Sequence, residues 1–153
     1  MNQIVLLQNV PLFETLSLDE LILISQELIQ EEFLQDETIL AAGDIFNYCY
    51  IIASGTVTAF KISEEGAIAL REFTAGSMFG YLDLFDDRPS QLQFVAQTDC
   101  ALLKISKKRL VSLGYQRPQI LISICQNFSA SLQNLVHQKW MYELSGNEEP
   151  SRG

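Results

Sequence analysis

The chain has 153 residues, 48% of them apolar and 19% charged, a balance that excludes a disordered or low-complexity protein and suits one domain with a sizeable core. Lys and Arg number 10 against 19 Asp and Glu, for a formal charge of -9, opposite in sign to a surface that grips nucleic-acid phosphates, so nucleic acid is not an expected partner. No basic segment, apolar run and small-residue cleavage site open the chain, and no apolar stretch is long enough to span a bilayer. The expectation is a cytoplasmic protein without membrane insertion.

Ser17 with Glu20 three residues on forms a capping box, and Leu21, Ile24 and Leu28 then recur at helical spacing, which predicts a helix from about Leu18 to Ile29. From Glu32 to Ile105 the pattern changes to short alternating or β-branched runs broken by Gly, Asp and Ser. These runs fall at Glu32 to Leu34, Thr38 to Ala41, Tyr48 to Ala53, Gly55 to Ile62, Ala67 to Phe73, Met78 to Phe79, Gln93 to Ala96 and Cys100 to Ile105. Such spacing predicts a small barrel or double sheet, with Glu64-Glu65-Gly66 as a hairpin turn. A short helix is predicted from Ser106 to Leu113, ended by Gly114, and a long one from Pro118 to about Glu143. Its apolar residues Leu121, Ile124, Phe128, Leu132 and Leu135, with Val136 or Trp140, form a stripe that has to be buried against the chain itself or a partner. The division expected is one domain over 1–143 with its flanking helices and a flexible tail over 144–153.

Cys49, Cys100 and Cys125 are odd in number, far apart and in apolar surroundings, so they read as buried thiols and neither a disulfide framework nor a metal knuckle. The one histidine, His137, sits in the last predicted helix; without a second there is no hydrolase triad and no metal cluster. No enzymatic activity, metal or cofactor is expected. Lys104, Lys107, Lys108 and Arg109 are interleaved with apolar residues and read as a solvated helix face.

Several ordered motifs resemble the cyclic-nucleotide-binding domain of catabolite-activator-type regulators, protein kinase A regulatory subunits and gated channels. Pro11-Leu12-Phe13 with Leu16 is similar to the family's opening Leu-Phe-x-x-Leu. Gly43-Asp44, Tyr50-Ile51-Ile52 and Gly55-Thr56-Val57 are similar to its Gly-Asp, Tyr-x-Ile and Gly-x-Val run, and Gly76 to Gly80 to the approach to its phosphate-binding cassette. The resemblance implies a mainly β fold with flanking helices: a double-stranded β-helix, or jelly-roll-like β-roll, with one N-terminal and two C-terminal helices.

In that family the cassette presents helix-start amides and an Arg to the cyclic phosphate, and a Glu after Phe-Gly receives the ribose hydroxyl. Here Tyr81 stands at the Glu position, and Ser90, after Pro89, at the Arg position. Asp83, Asp86 and Asp87 add negative charge, which repels an anion where screening is poor. Gly80, Tyr81, Leu82, Asp83, Arg88, Ser90 and Gln91 are therefore the candidate residues of an altered pocket. Arg88 is expected to be exposed and paired with Asp86 or Asp87, though a shifted loop would let it turn inward. Tyr81 reads as a half-buried packing aromatic, with filling of the pocket or stacking on a ligand as the functional alternative.

These readings lead to a non-catalytic regulatory or protein-interaction module that does not bind cAMP or cGMP. The alternative is a sensor for an atypical cyclic nucleotide or other small ligand in the modified pocket. Leu121, Ile124, Phe128, Leu132, Leu135 and Trp140 are the candidate contacts to a protein partner or a second copy. In the resembling regulators a helix-turn-helix domain follows the long helix; about ten residues follow Tyr142 in this sequence, so a transcription factor is not expected unless the chain is one domain of a longer protein.

Overall fold

The computed structural model describes residues 3–81 and 86–146. Helix α1 (Gln3–Gln8) and a 3-10 turn (Pro11–Phe13) precede α2 (Leu18–Glu27). Eight strands follow: β1 (Ile29–Phe33), β2 (Thr38–Leu40), β3 (Tyr48–Ser54), β4 (Val57–Ser63), β5 (Gly66–Phe73), β6 (Met78–Phe79), β7 (Leu92–Ala96) and β8 (Cys100–Ser106). Helices α3 (Lys107–Gln116) and α4 (Pro118–Leu144) close the chain. The strands form two four-stranded antiparallel sheets, ordered β1-β8-β3-β6 and β2-β7-β4-β5. This is the mainly β roll with flanking helices that the sequence implies.

The first sheet separates two apolar cores. Strand side chains alternate between faces, so Cys49 and Ile51 of β3, Leu103 and Ile105 of β8 and Met78 of β6 face the helices. Tyr50, Ile52, Cys100, Leu102 and Phe79, from the same strands, face the interior of the roll. Burial on both sides explains why β3 reads as a continuous apolar run instead of an alternating one.

The capping box at α2 is present: Glu20 N–H donates to Ser17 Oγ at 3.2 Å, and Ser17 N–H donates to Glu20 Oε1 at 3.0 Å. The helix ends at Glu27, two residues short of the expected Ile29, because Leu28 is already extended and Ile29 pairs with Lys104 as the first residue of β1. Helix α1 has no counterpart in the sequence reading; Leu6 and Leu7 bury into the helix-side core.

Gly114 does not end α3, which runs on to Gln116. It is buried, and a Cβ there would collide with the Leu121 side chain of α4. Its role is the close approach of two helices. Pro118 opens α4 as expected, and Ser63 to Gly66 close the β4–β5 hairpin.

Gly55 makes the turn between β3 and β4 at φ +97, and a Cβ would run into Asp99 O and Cys100 Sγ. Both left-handed backbone and lack of space oppose a side chain. Gly55→Ala is predicted to lower stability by at least about 1–3 kcal/mol, measured as the shift of the urea midpoint at constant slope.

Candidate functional site

The cassette begins from a fixed point. Phe79 ends β6 with its ring stacked on Tyr50, centroids 5.3 Å apart, and on Phe94 of the opposite sheet, 4.8 Å apart. Phe73 and Phe46 add further ring contacts to Phe94, so aromatics fill the roll beside the cassette. Gly80 follows at φ +85, where a Cβ would lie 3.1 Å from Leu40 Cδ1 and 3.3 Å from Tyr48 O. The backbone therefore passes tight against β3 before releasing Tyr81.

Tyr81 turns toward the helices. It is half-buried against the helix-side core, and its ring meets Phe128 of α4 edge-on, centroids 6.4 Å apart and planes at 90°. This is the packing role expected of it. With Leu12, Met78, Leu110, Ile124 and Phe128, Tyr81 lines an apolar cavity of about 350 Å³ between roll and helices.

Leu82 and Asp83, two of the candidate residues, lie outside the described residues. The loop resumes at Asp86. Arg88 is exposed, as expected, and donates from Nε and Nη2 to both Asp86 oxygens at 2.8 to 3.1 Å. Those hydrogen bonds hold the Asp86 carboxyl below the usual carboxylate range and raise the guanidinium in turn. Asp87 accepts from Lys107 Nζ at 2.8 Å, which ties the loop to α3.

Ser90 is buried and fully engaged with its own chain. Its N–H donates to Asp44 O at 2.9 Å, its carbonyl accepts from Gly43 N–H at 2.8 Å, and its Oγ accepts from Leu92 N–H at 3.0 Å. The Gly43-Asp44 motif thus serves as the strut on which the cassette's far end rests. Gln91 is exposed, and its carbonyl accepts from Ile62 N–H at 3.1 Å. Lys61 of β4, Asp86, Arg88, Ser90 and Gln91 line a second, polar and open cavity of about 530 Å³.

The six candidate contacts on α4 divide in two. Leu121 and Ile124 pack onto the helix-side core, whereas Phe128, Leu132, Leu135 and Trp140 are exposed, Trp140 by 60%. Three of the four residues of the basic cluster pair with acids: Lys104 with Glu31 at 2.7 Å, Lys107 with Asp87, and Arg109 with Glu27 at 3.6 Å; Lys104 lies on β8 with its side chain 20% exposed, so only the other three belong to a helix face as expected. The sequence reading passed over Lys61, which alternation alone marks as one more outward strand residue, and the Lys107–Asp87 tie, since 20 residues separate the two. Among the described residues no cluster of His, Cys, Asp and Glu could hold a metal, and no helix is long and apolar enough to cross a membrane.

Two facing antiparallel sheets, a glycine-led loop between β6 and β7 and a docked pair of C-terminal helices define a β-roll of the nucleotide-binding kind. The model of the cyclic nucleotide-binding domain matches residues 30–115, more than half of the chain, which belongs to that family. Over 108 residues it is 34% identical to a cAMP-dependent protein kinase regulatory subunit of Aspergillus niger, covering 69% of this chain and 26% of that protein. The chain thus spans about a quarter of that relative's length. The catabolite activator protein of Thermus thermophilus superposes with a TM-score of 0.72 at 25% identity, covering 89% of this chain and 63% of that one. The regulatory subunit of a cAMP-independent protein kinase A from Trypanosoma brucei gives a TM-score of 0.69 at 22% identity, covering 88% and 50%. That last likeness is one of fold.

The cysteines differ from the expectation of three buried thiols. Cys49 and Cys100 are buried, but Cys125 is exposed, because it lies on α4 beside the apolar stripe and not beneath it. Burial pushes the Cys49 thiol up to about 12 from 9.0. A native-state thiol reagent at neutral pH is predicted to modify Cys125 alone, read by intact mass. Because the protonated Cys49 is favoured in the fold, its stabilising effect is complete below pH 9.0 and is lost as pH rises toward about 12. The urea midpoint should fall over that window, and fall less in Cys49→Ala.

Proposed function

We propose that this chain is a non-catalytic regulatory module of the cyclic-nucleotide-binding fold that does not bind cAMP or cGMP and acts by protein contact. The observation that carries this reading is the engagement of the cassette side chains with the chain itself. Ser90, at the position where the family resemblance places an Arg, is buried and accepts from Leu92 N–H. The guanidinium close by, Arg88, is already gripped by Asp86. Tyr81, where the resemblance places the ribose-binding Glu, is turned to α4.

Loss of a charge-assisted contact to a buried anion costs on the order of 2–5 kcal/mol. Two such losses would move a micromolar site beyond roughly millimolar affinity. Fold membership does not oppose this, since a fold hosts sites without guaranteeing them. A cytoplasmic location, with nucleic acid and membranes excluded as direct partners, belongs to the same reading.

The protein contact is assigned to the outer face of α4, with a second copy as its occupant. Phe128, Leu132, Leu135 and Tyr142 recur at four-, three- and seven-residue intervals, the spacing of a helical seam, with Val136 and Trp140 on its flank. At about half exposure, these six large side chains offer roughly 600 Å² of apolar surface, most of the ~800 Å² per partner that a standard interface buries. Lys139 takes the seam position between Leu135 and Tyr142, where a charged residue costs stability and restricts register.

The second reading, a sensor of an atypical cyclic nucleotide or other small ligand, is favoured by the open cavity beside Lys61 and Arg88. Calorimetry separates the two. Titration with cAMP, cGMP or cyclic dinucleotides up to ~1 mM is expected to give no saturable heat, and saturable heat with cAMP or cGMP overturns the lead reading. The Tyr81→Glu, Ser90→Arg double variant is expected to gain cAMP binding if the scaffold is otherwise competent. Sedimentation is expected to give twice the 17.3 kDa chain mass for the wild type and the single mass for Leu135→Glu. A monomeric wild type would point to a different protein as the occupant.

A further inference from the structure

The apolar cavity between roll and helices is a recess with a buried floor. Leu12 and Phe13 of the 3-10 turn, Met78 of β6 and Leu110 of α3 make that floor, each at most 7% exposed. The mouth is on α4, where the lining residues Cys125, Phe128, Ser129 and Leu132 are exposed. Because the floor comes from three separate elements, the folded roll itself shapes the recess.

The chemistry of the lining defines what fits. Among the described residues no Lys, Arg, His, Asp or Glu lines the cavity, so an ion placed there would lose its hydration with no partner in return. Water fares little better, since it needs roughly two to four polar partners, and the hydroxyl and thiol groups of the lining are only those of Tyr81, Cys125 and Ser129. An apolar molecule gains from the same walls. The volume of about 350 Å³ is about twice that of a cavity lined by Leu, Ile and Phe that stays dry and holds one benzene, which suits two fused rings. A helix from a second copy, about 10 Å across, can cover the mouth but is too broad to reach the floor.

We propose that this cavity is a binding site for a neutral, apolar small molecule of about two-ring size, whose one polar group stays at the mouth beside Ser129. The site shares no lining residue with the polar cavity beside Lys61 and Arg88. It stands whether or not the cassette binds a nucleotide, and it goes beyond the protein contact proposed above.

The chain has three methionines, Met1, Met78 and Met141, and two of them report from different places: Met78 on the floor, and Met141, 56% exposed, on the outward half of α4. In nuclear magnetic resonance on the full chain with isotope-labelled methionine methyls, titration with 2-naphthol, a neutral two-ring alcohol, is expected to shift the Met78 signal saturably. Half-saturation should fall below ~1 mM, with Met141 left in place over that range. Naphthalene-2-carboxylate, the same rings bearing a charge, is expected to bind at least roughly tenfold more weakly. An unmoved Met78, a Met141 shift alone or at the same concentrations, which would mean adsorption to the apolar stripe, or an equal response to the carboxylate would each overturn the proposal. Leu135→Glu changes the seam and not the cavity lining, so it should keep the Met78 response. A response found only in this variant would place a second copy in the recess, one found only in the wild type would make the recess a feature of a dimer, and either result overturns the site.

Discussion

The stacking of Phe79 between Tyr50 and Phe94 is the interaction on which the geometry of the site depends. It joins the two sheets at the point where the chain leaves β6, since Tyr50 and Phe79 belong to one sheet and Phe94 to the other. Pairs of this kind add to the stabilisation from apolar burial and have restricted geometry. Phe79 stacks on both rings, the backbone of Gly80 passes close against Tyr48 and Cys49, and Tyr81 leaves it toward the helix-side core. The chain thus passes from the roll core to the helix-side core between Phe79 and Tyr81.

The far end of the cassette is held differently, by polar contacts. Ser90 exchanges two backbone hydrogen bonds with the Gly43-Asp44 turn and caps Leu92 through its hydroxyl, while Asp87 reaches Lys107 on α3. A buried hydroxyl with partners costs little; the same position filled by a long cation would have to find an anion. Arg88 is outside, paired with Asp86 in an exposed and salt-screened geometry that adds little stability but occupies the guanidinium. In the described part of the loop Asp86 is thus committed to Arg88 and Asp87 to Lys107.

Much of this was legible in the sequence because the relevant signals are local or periodic. The Ser17–Glu20 box, Pro118 at the head of α4, the turn at Glu64-Glu65-Gly66 and the spacing of the strands each follow from short-range chemistry. The pairing of Arg88 with a neighbouring Asp and the packing role of Tyr81 were readable for the same reason. What escaped depends on distant partners. Gly114 looked like a helix end because its true reason, the Leu121 side chain, sits on another helix. Cys125 looked buried because an apolar neighbourhood in sequence says nothing about which face of α4 meets the roll. Ile29 looked helical because its pairing partner, Lys104 of β8, is 75 positions away. Helix α1 is too short for periodicity to announce it.

The first sheet, with an apolar core on each face, works as a party wall. Neighbouring residues of a single strand belong to different rooms: Tyr50 and Ile52 furnish the roll, Cys49 and Ile51 the helical annex. Most substitutions on one side therefore leave the other side's furniture in place, and the doorway between the rooms is the run Phe79 to Tyr81, where the chain passes from the roll core to the helical one. A lineage could renovate one room at its own pace, so long as it left that doorway standing.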